Sequence, residues 1–181
     1  MSSPAERLQE YASISAGHAA NALAGFFDQV VLMDPPSCRW LRLDDIPSSV
    51  FRPDEWIAAV FADLSDPAPG QLGMLLEREV AVEVLRRMVG SEPGRHLDAA
   101  QASALAELGN IALSAAAGAL AALYQTVVVP SVPRVGYDMA GALMVDALHS
   151  RIARLPAYLM EAELADRAGR LRARFVWVPE P

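Results

Sequence analysis

DAAQASALAELGNIALSAAAGALAALYQTVVVPSVP, residues 98–133, reads as one long helix running into a strand at TVVV, 126–129. At about 100° per residue, Ser103, Glu107, Asn110 and Ser114 fall within about 60° of one another. Leu105, Leu108, Ala112, Ala116, Ala119 and Leu123 share the opposite side. The result is a narrow polar stripe on an otherwise apolar helix. Gly109 and Asn110 are costly choices in mid-helix, roughly 0.7 to 1 kcal/mol each relative to alanine. Read structurally, Gly109 permits a close backbone crossing, and Glu107 and Asn110 are solvated.

The pattern occurs twice. A shift of 97 positions lays LQEYASISAGHAANALAGFFDQVVLMDPP, from Leu8, over LAELGNIALSAAAGALAALYQTVVVPSVP, from Leu105. Leu8, Glu10, Ile14, Val30, Val31 and Pro36 then match Leu105, Glu107, Ile111, Val127, Val128 and Pro133 without a gap. Five further identities in the alanine-rich middle carry less weight. This repetition predicts a duplicated unit, one helix plus a small sheet in each half. The 181 residues then form a single domain of two pseudo-symmetric halves, about 1–90 and 98–181, joined by 91–97.

Composition narrows the class. A hydrophobic content of 53% fits a packed globule, and a formal net charge of -7 opposes binding to a phosphate backbone, so nucleic acid is not an expected partner. Cys38, the single cysteine, excludes an internal disulfide and fits a reducing, cytoplasmic compartment. The first twelve residues carry Glu6, Arg7 and Glu10 where a signal peptide needs an apolar core. Residues 111–129 are uncharged, but they are mostly alanine, broken by Gly118, Gln125 and Thr126, and without flanking Lys or Arg. A buried helix is expected there, with no membrane insertion.

Around this core the other elements follow from periodicity and breakers. Ser3-Pro4-Ala5-Glu6 is a capping signature for a first helix to about Phe27, and Asp98 with Gln101 caps the central one. VVLM at 30–33 and RWLRL at 39–43 read as strands, and 44–53 as a polar connection. WIAAVFADL at 56–64 and QLGMLL at 71–76 form a hairpin across SDPAPG, followed by a helix closed by Gly90. Residues 140–155 read as a helix with Leu143, Ala147, Ile152 and Leu155 as its apolar side. The last hairpin, 157–166 and 170–178, alternates as if one face were wet, with Arg170, Arg172 and Arg174 outward.

Familiar chemistries find little support. His18, His96 and His149 have no neighbours at metal-ligand spacing, and there is no G-x-S-x-G, P-loop or G-x-G-x-x-G. What remains is a carboxylate and a carboxamide three residues apart on one helix face. Asn cannot serve as a general base, but it can orient water, which suits hydrolysis of an already activated bond.

Ser103-x3-Glu107-x2-Asn110, followed after 22 residues by Pro133, resembles the signature of the CheC/CheX/FliY phosphatases of bacterial chemotaxis. The likeness extends through ISAGHAANAL at 14–23 and DMAGAL at 138–143, and two motif copies are most similar to the CheC type. It implies an α/β (α+β) fold with pseudo-twofold symmetry, two long helices on one face of a mainly antiparallel β-sheet. It further implies hydrolysis of the aspartyl phosphate of a CheY-type response regulator. In that scheme Asn110 holds the attacking water, Glu107 engages the regulator's lysine, Ser103 supports the motif, and Pro133 is a structural element behind the helix that ends the strand. The Mg2+ belongs to the regulator, so the chain needs no cofactor of its own. The alternative is a non-catalytic adaptor for phosphorylated regulator or for the deamidase CheD. The first copy departs from the pattern. Glu10 and Pro36 are in register, but Ser13 stands for Asn and Glu6 for Ser. Asn21 lies eleven residues beyond Glu10, about 16 Å along the helix, too far to substitute. One working site, residues 103–110, and a degenerate one at 10–13 are expected, the alternative being that Ser13 supports weak activity.

Overall fold

The computed structural model describes residues 3–66, 68–149 and 156–180. Both long helices form where the capping signatures place them. Helix α1 spans Pro4–Phe27 and α4 spans Ala99–Tyr124. In each, both bonds of the capping box are made: Ser3 with Glu6, and Asp98 with Gln101. Each also ends on a left-handed, non-glycine residue, Asp28 (φ 50) and Gln125 (φ 53), again 97 positions apart. The helices run antiparallel, bringing Tyr11 near the start of α1 edge-on to Tyr124 at the end of α4, 5.4 Å between rings. Alanines at 12, 16, 19 and 20 of α1 and at 112, 116 and 117 of α4 share the buried core, so the backbones approach closely.

The strands are β1 (Val31–Met33), β2 (Ser37–Leu41), β3 (Trp56–Leu64), β4 (Gly70–Glu77), β5 (Arg134–Met139), β6 (Ala157–Asp166) and β7 (Arg172–Pro179). They form one sheet in the order β1-β6-β7-β4-β3-β5, with β2 also on β6, and every pairing is antiparallel. The duplication is visible in this order. β2 and β5, in matching register at a shift of 97, pair respectively with β6 and β3, so each crosses to the hairpin of the other repeat. Such an exchange makes the two repeats share one core.

Alternation along the central strands sorts their side chains between two layers. Val60, Ala62, Leu72, Met74, Phe175 and Trp177 lie under α1, α4 and α3 (Arg78–Val89). Ile57, Ala59, Phe61, Leu75, Val176 and Val178 lie under α2 (Ile46–Val50) and α5 (Ala140–His149). By length and composition α4 could cross a membrane, with a mean hydropathy of 1.4, yet 56% of its most apolar window is buried within the fold.

Three local expectations are corrected. Residues 44–53 are not a plain polar connection, because a turn of 3-10 helix and α2 bury Leu43, Ile46, Val50 and Phe51. Thr126–Val129 joins no sheet ladder. Beyond it an isolated bridge joins Pro130 to Leu64 and Ser131 bonds Asp63, but prolines cannot donate to a ladder, and the strand begins instead at Arg134. Pro133 therefore precedes a strand rather than ending one. The outer face of β7 is wet only at its start. Arg174 lies over the Phe51 ring at 4.3 Å and bonds Glu161 and the Val50 carbonyl, and beyond it Val176 and Val178 are buried. Of the expected helix 140–155, residues 150–155, with Ile152 and Leu155, lie outside the described residues.

Candidate functional site

Helix α4 is buried along Leu105, Leu108, Gly109, Ala112 and Leu113, while Ser103, Glu107, Asn110 and Ser114 are exposed. The polar stripe is thus the solvent side of a core helix. Its height above the sheet is set by Gly109. A Cβ there would stand 2.3 Å from Val60 Cγ1 and 2.6 Å from Val60 Cβ, so α4 rests on β3 at the one residue between Glu107 and Asn110 that has no side chain. The close-crossing reading of Gly109 holds, and it bears directly on where its two polar neighbours sit.

Facing the stripe is the segment 130–133. Ser103, Ala106, Glu107 and Asn110 on the helix, with Pro130, Ser131, Val132 and Pro133 opposite, line one open groove of about 390 Å3. Three residues of the predicted pattern on α4 and the distant proline therefore share a surface, and Pro133 lies in the groove wall rather than behind the helix. The wall is pinned to the end of β3. The Ser131 N–H donates to the Asp63 carbonyl at 2.8 Å, the Asp63 N–H donates to Ser131 Oγ at 3.0 Å, and the Val129 N–H donates to Ser65 Oγ at 3.3 Å. Asp63 in turn accepts from Arg134 at 3.3 Å and from Gln71 at 3.1 Å.

One turn further along the stripe, the Ser114 hydroxyl donates to Asn110 Oδ1 at 3.2 Å. With its oxygen so engaged, the carboxamide has both N–H donors left for an incoming group. Among the described residues the Glu107 carboxylate has no hydrogen-bond or ion-pair partner. Glu107 and Asn110 lie about 4.5 Å apart along the axis, close enough to act on one small target. No group of three His, Cys, Asp or Glu able to hold a metal is present among the described residues.

The equivalent place on α1 is built differently. Glu10 is exposed, Ser13 is half-buried, Pro36 is buried, and Glu6, at the position of Ser103, is occupied in the helix cap. At the position of Ala106 stands Gln9, whose Nε2 donates to the Pro36 carbonyl at 3.0 Å and bridges helix to wall. Comparing the copies at a shift of 97 contains this signal, since the residue that leaves one groove open is alanine and its counterpart is a long amide. Cys38 packs against the core, where burial raises its thiol above the usual value. His18 and His96 are exposed.

Comparison with known proteins places these features in a lineage. The CheC-like family model matches residues 101–137, the stretch that carries the groove-lining part of α4, the wall and the first residues of β5. The CheY-P phosphatase CheC of Bacillus subtilis (strain 168) is 30% identical over 145 residues, covering 78% of this chain and 69% of that protein. The crystal structure of Thermotoga maritima FliY superposes with a TM-score of 0.71 at 20% identity, over 98% of this chain and 91% of that one. CheX in the CheX-CheY-BeF3-Mg+2 complex of Borrelia burgdorferi has a TM-score of 0.60 at 15% identity, over 94% and 97%. These two superpositions establish a shared fold, and the extended identity to the Bacillus protein goes further: the chain belongs to the CheC family.

Proposed function

We propose that this chain is a cytoplasmic phosphatase that hydrolyses the aspartyl phosphate of a CheY-type response regulator through Glu107 and Asn110. The observation that carries the reading is the pairing of an unengaged carboxylate with a carboxamide oriented by Ser114, both exposed on an open groove. The chemistry asks little of the enzyme beyond position. An acyl phosphate is already activated, so a water held in line with phosphorus suffices: its oxygen bonds to phosphorus, the bond to the aspartate oxygen breaks, and carboxylate and inorganic phosphate are released. Asn110 holds that water, and Glu107 fixes the regulator by pairing with its active-site lysine. The Mg2+ that neutralises the phosphoryl oxygens is the regulator's own.

On this reading the first copy, Glu10 with Ser13 and Pro36, is inactive. A serine hydroxyl is shorter than a carboxamide, and Gln9 bridges the space that is open on the other side. CheD is a second candidate partner.

The test is the decay of a phosphorylated CheY-type regulator from the same genome, with the wild-type chain and with Asn110→Ala, Glu107→Ala and Ser13→Ala. Removing a positioning contact made in the transition state costs about 100-fold or more. Faster decay that Asn110→Ala abolishes and Ser13→Ala leaves intact supports the single-site phosphatase. Binding of phosphorylated regulator without faster decay identifies an adaptor instead.

A further inference from the structure

The groove wall 130–133 and the segment leading into it carry exposed apolar surface. Val127 is 73% exposed, Val129 57% and Val132 86%, all within six residues, and Val132 lines the groove beside Glu107 and Asn110. Exposed apolar side chains grouped beside a polar groove mark an interaction site. They are also not floppy. The hydrogen bonds from Ser131 to Asp63 and from Val129 to Ser65, with the Pro130 bridge to Leu64, fasten the segment to the rigid end of β3. A surface ordered before binding loses little entropy on contact. From Leu108 to Pro133 there is no charged residue, although the chain as a whole carries -7. A partner bearing a phosphoryl group in an acidic pocket would be repelled by carboxylates, and the only one lining this groove among the described residues is Glu107 on the helix side, with none on the wall 130–133.

We propose that the valine strip 127–132 is the docking surface for the phosphorylated regulator, receiving an apolar rim next to the regulator's acidic pocket while the phosphoryl group meets Asn110. The inference rests on the phosphatase reading above and adds the contact that sets affinity. Division of labour follows: Asn110 acts in the transition state and sets kcat, whereas the valines bind the regulator in ground and transition states alike and set KM. The matching residues of the first copy, Val30 (55% exposed) and Leu32 (52%), adjoin no Asn and serve as the control surface.

The experiment varies regulator concentration in the decay assay for wild type, the triple variant Val127→Ser/Val129→Ser/Val132→Ser, the control Val30→Ser/Leu32→Ser, and Asn110→Ala. In parallel, binding of the regulator loaded with beryllofluoride and Mg2+ is measured without turnover. The triple variant should raise KM and the dissociation constant together by about tenfold with kcat within about twofold. Asn110→Ala should do the reverse, and the control should match wild type. Thermal unfolding of the triple variant should be unchanged, since all three side chains are exposed. A folded triple variant with unaltered KM and binding, or a control with an equal effect, overturns the docking strip and leaves the phosphatase intact. A wild-type chain that neither binds nor dephosphorylates any regulator overturns the phosphatase reading, and the strip with it.

Discussion

Replacing Gly109 by alanine separates the two effects that meet at this residue. In an isolated helix the change is favourable by about 1 kcal/mol. In the fold, the new Cβ would sit 2.3 Å from Val60 Cγ1 and 2.9 Å from Cγ2, with Val60 itself only 1% exposed and unable to swing into solvent. Carbon–carbon contact begins near ~3.5 Å, so α4 must retreat from β3 by about 1.2 Å. Overpacking of this kind costs about 1–3 kcal/mol, which outweighs the gain in propensity. The net loss of about 0–2 kcal/mol lowers Tm by a few degrees in a chain of this size. Function should suffer more, because Glu107 and Asn110 flank the contact and rise with the helix. A misplacement of about 1 Å costs about 100-fold in a reaction governed by positioning. Val60→Ala in the Gly109→Ala background restores room for the Cβ, and the two changes should couple by about 1–3 kcal/mol in a double-mutant cycle. Thermal unfolding and regulator dephosphorylation, measured on all four proteins, check this. A Gly109→Ala chain that is more stable than wild type and equally active would refute the close-approach argument.

Ser114→Ala frees Asn110 Oδ1, so the carboxamide samples more orientations, and dephosphorylation should fall several-fold, less than for Asn110→Ala, with melting temperature unchanged. Asp98→Ala removes the cap acceptor from the Gln101 N–H and should cost about 1 kcal/mol in chemical denaturation, with kcat retained because the groove begins further along the helix. Burial, then the neighbouring Tyr11, raises the Tyr124 phenol above its ordinary value of 10.0. With the folded value above the unfolded one, this contribution to stability is complete below pH 10.0 and is lost as pH rises through the folded value. Urea midpoints across that range should decline less steeply for Tyr124→Phe than for wild type.

How far residues alone carried the reading depended on the range of the interactions involved. Capping boxes join residues three apart, and both were legible with their partners named, as were the hairpin 56–76 and the helix closed by Gly90. The Ser103, Glu107 and Asn110 stripe was legible because helical periodicity puts those positions on one face whatever surrounds the helix. Strand β5 was not. RVGYDM has a weak strand signal, with Gly136 in its middle giving room to Leu143, and its pairing to β3 joins residues more than seventy apart in sequence. TVVV carried the stronger local signal, yet the prolines on its far side and the serine and carbonyl acceptors of 63–65 hold it as a wall instead. Helix α2 escaped because its burial comes from contact with α5 and the sheet, not from its own pattern.

The sequence by itself determined the duplicated unit, the two capped helices and the identity of the polar stripe, since these follow from spacing along one chain segment. Only the tertiary structure decided that β2 and β5 exchange between the repeats, that 130–133 closes a groove against α4, and that Gln9 bridges the matching space on α1. The physical reason is the same in each case. A groove needs two walls, and its second wall is placed by hydrogen bonds to β3 that no local periodicity records.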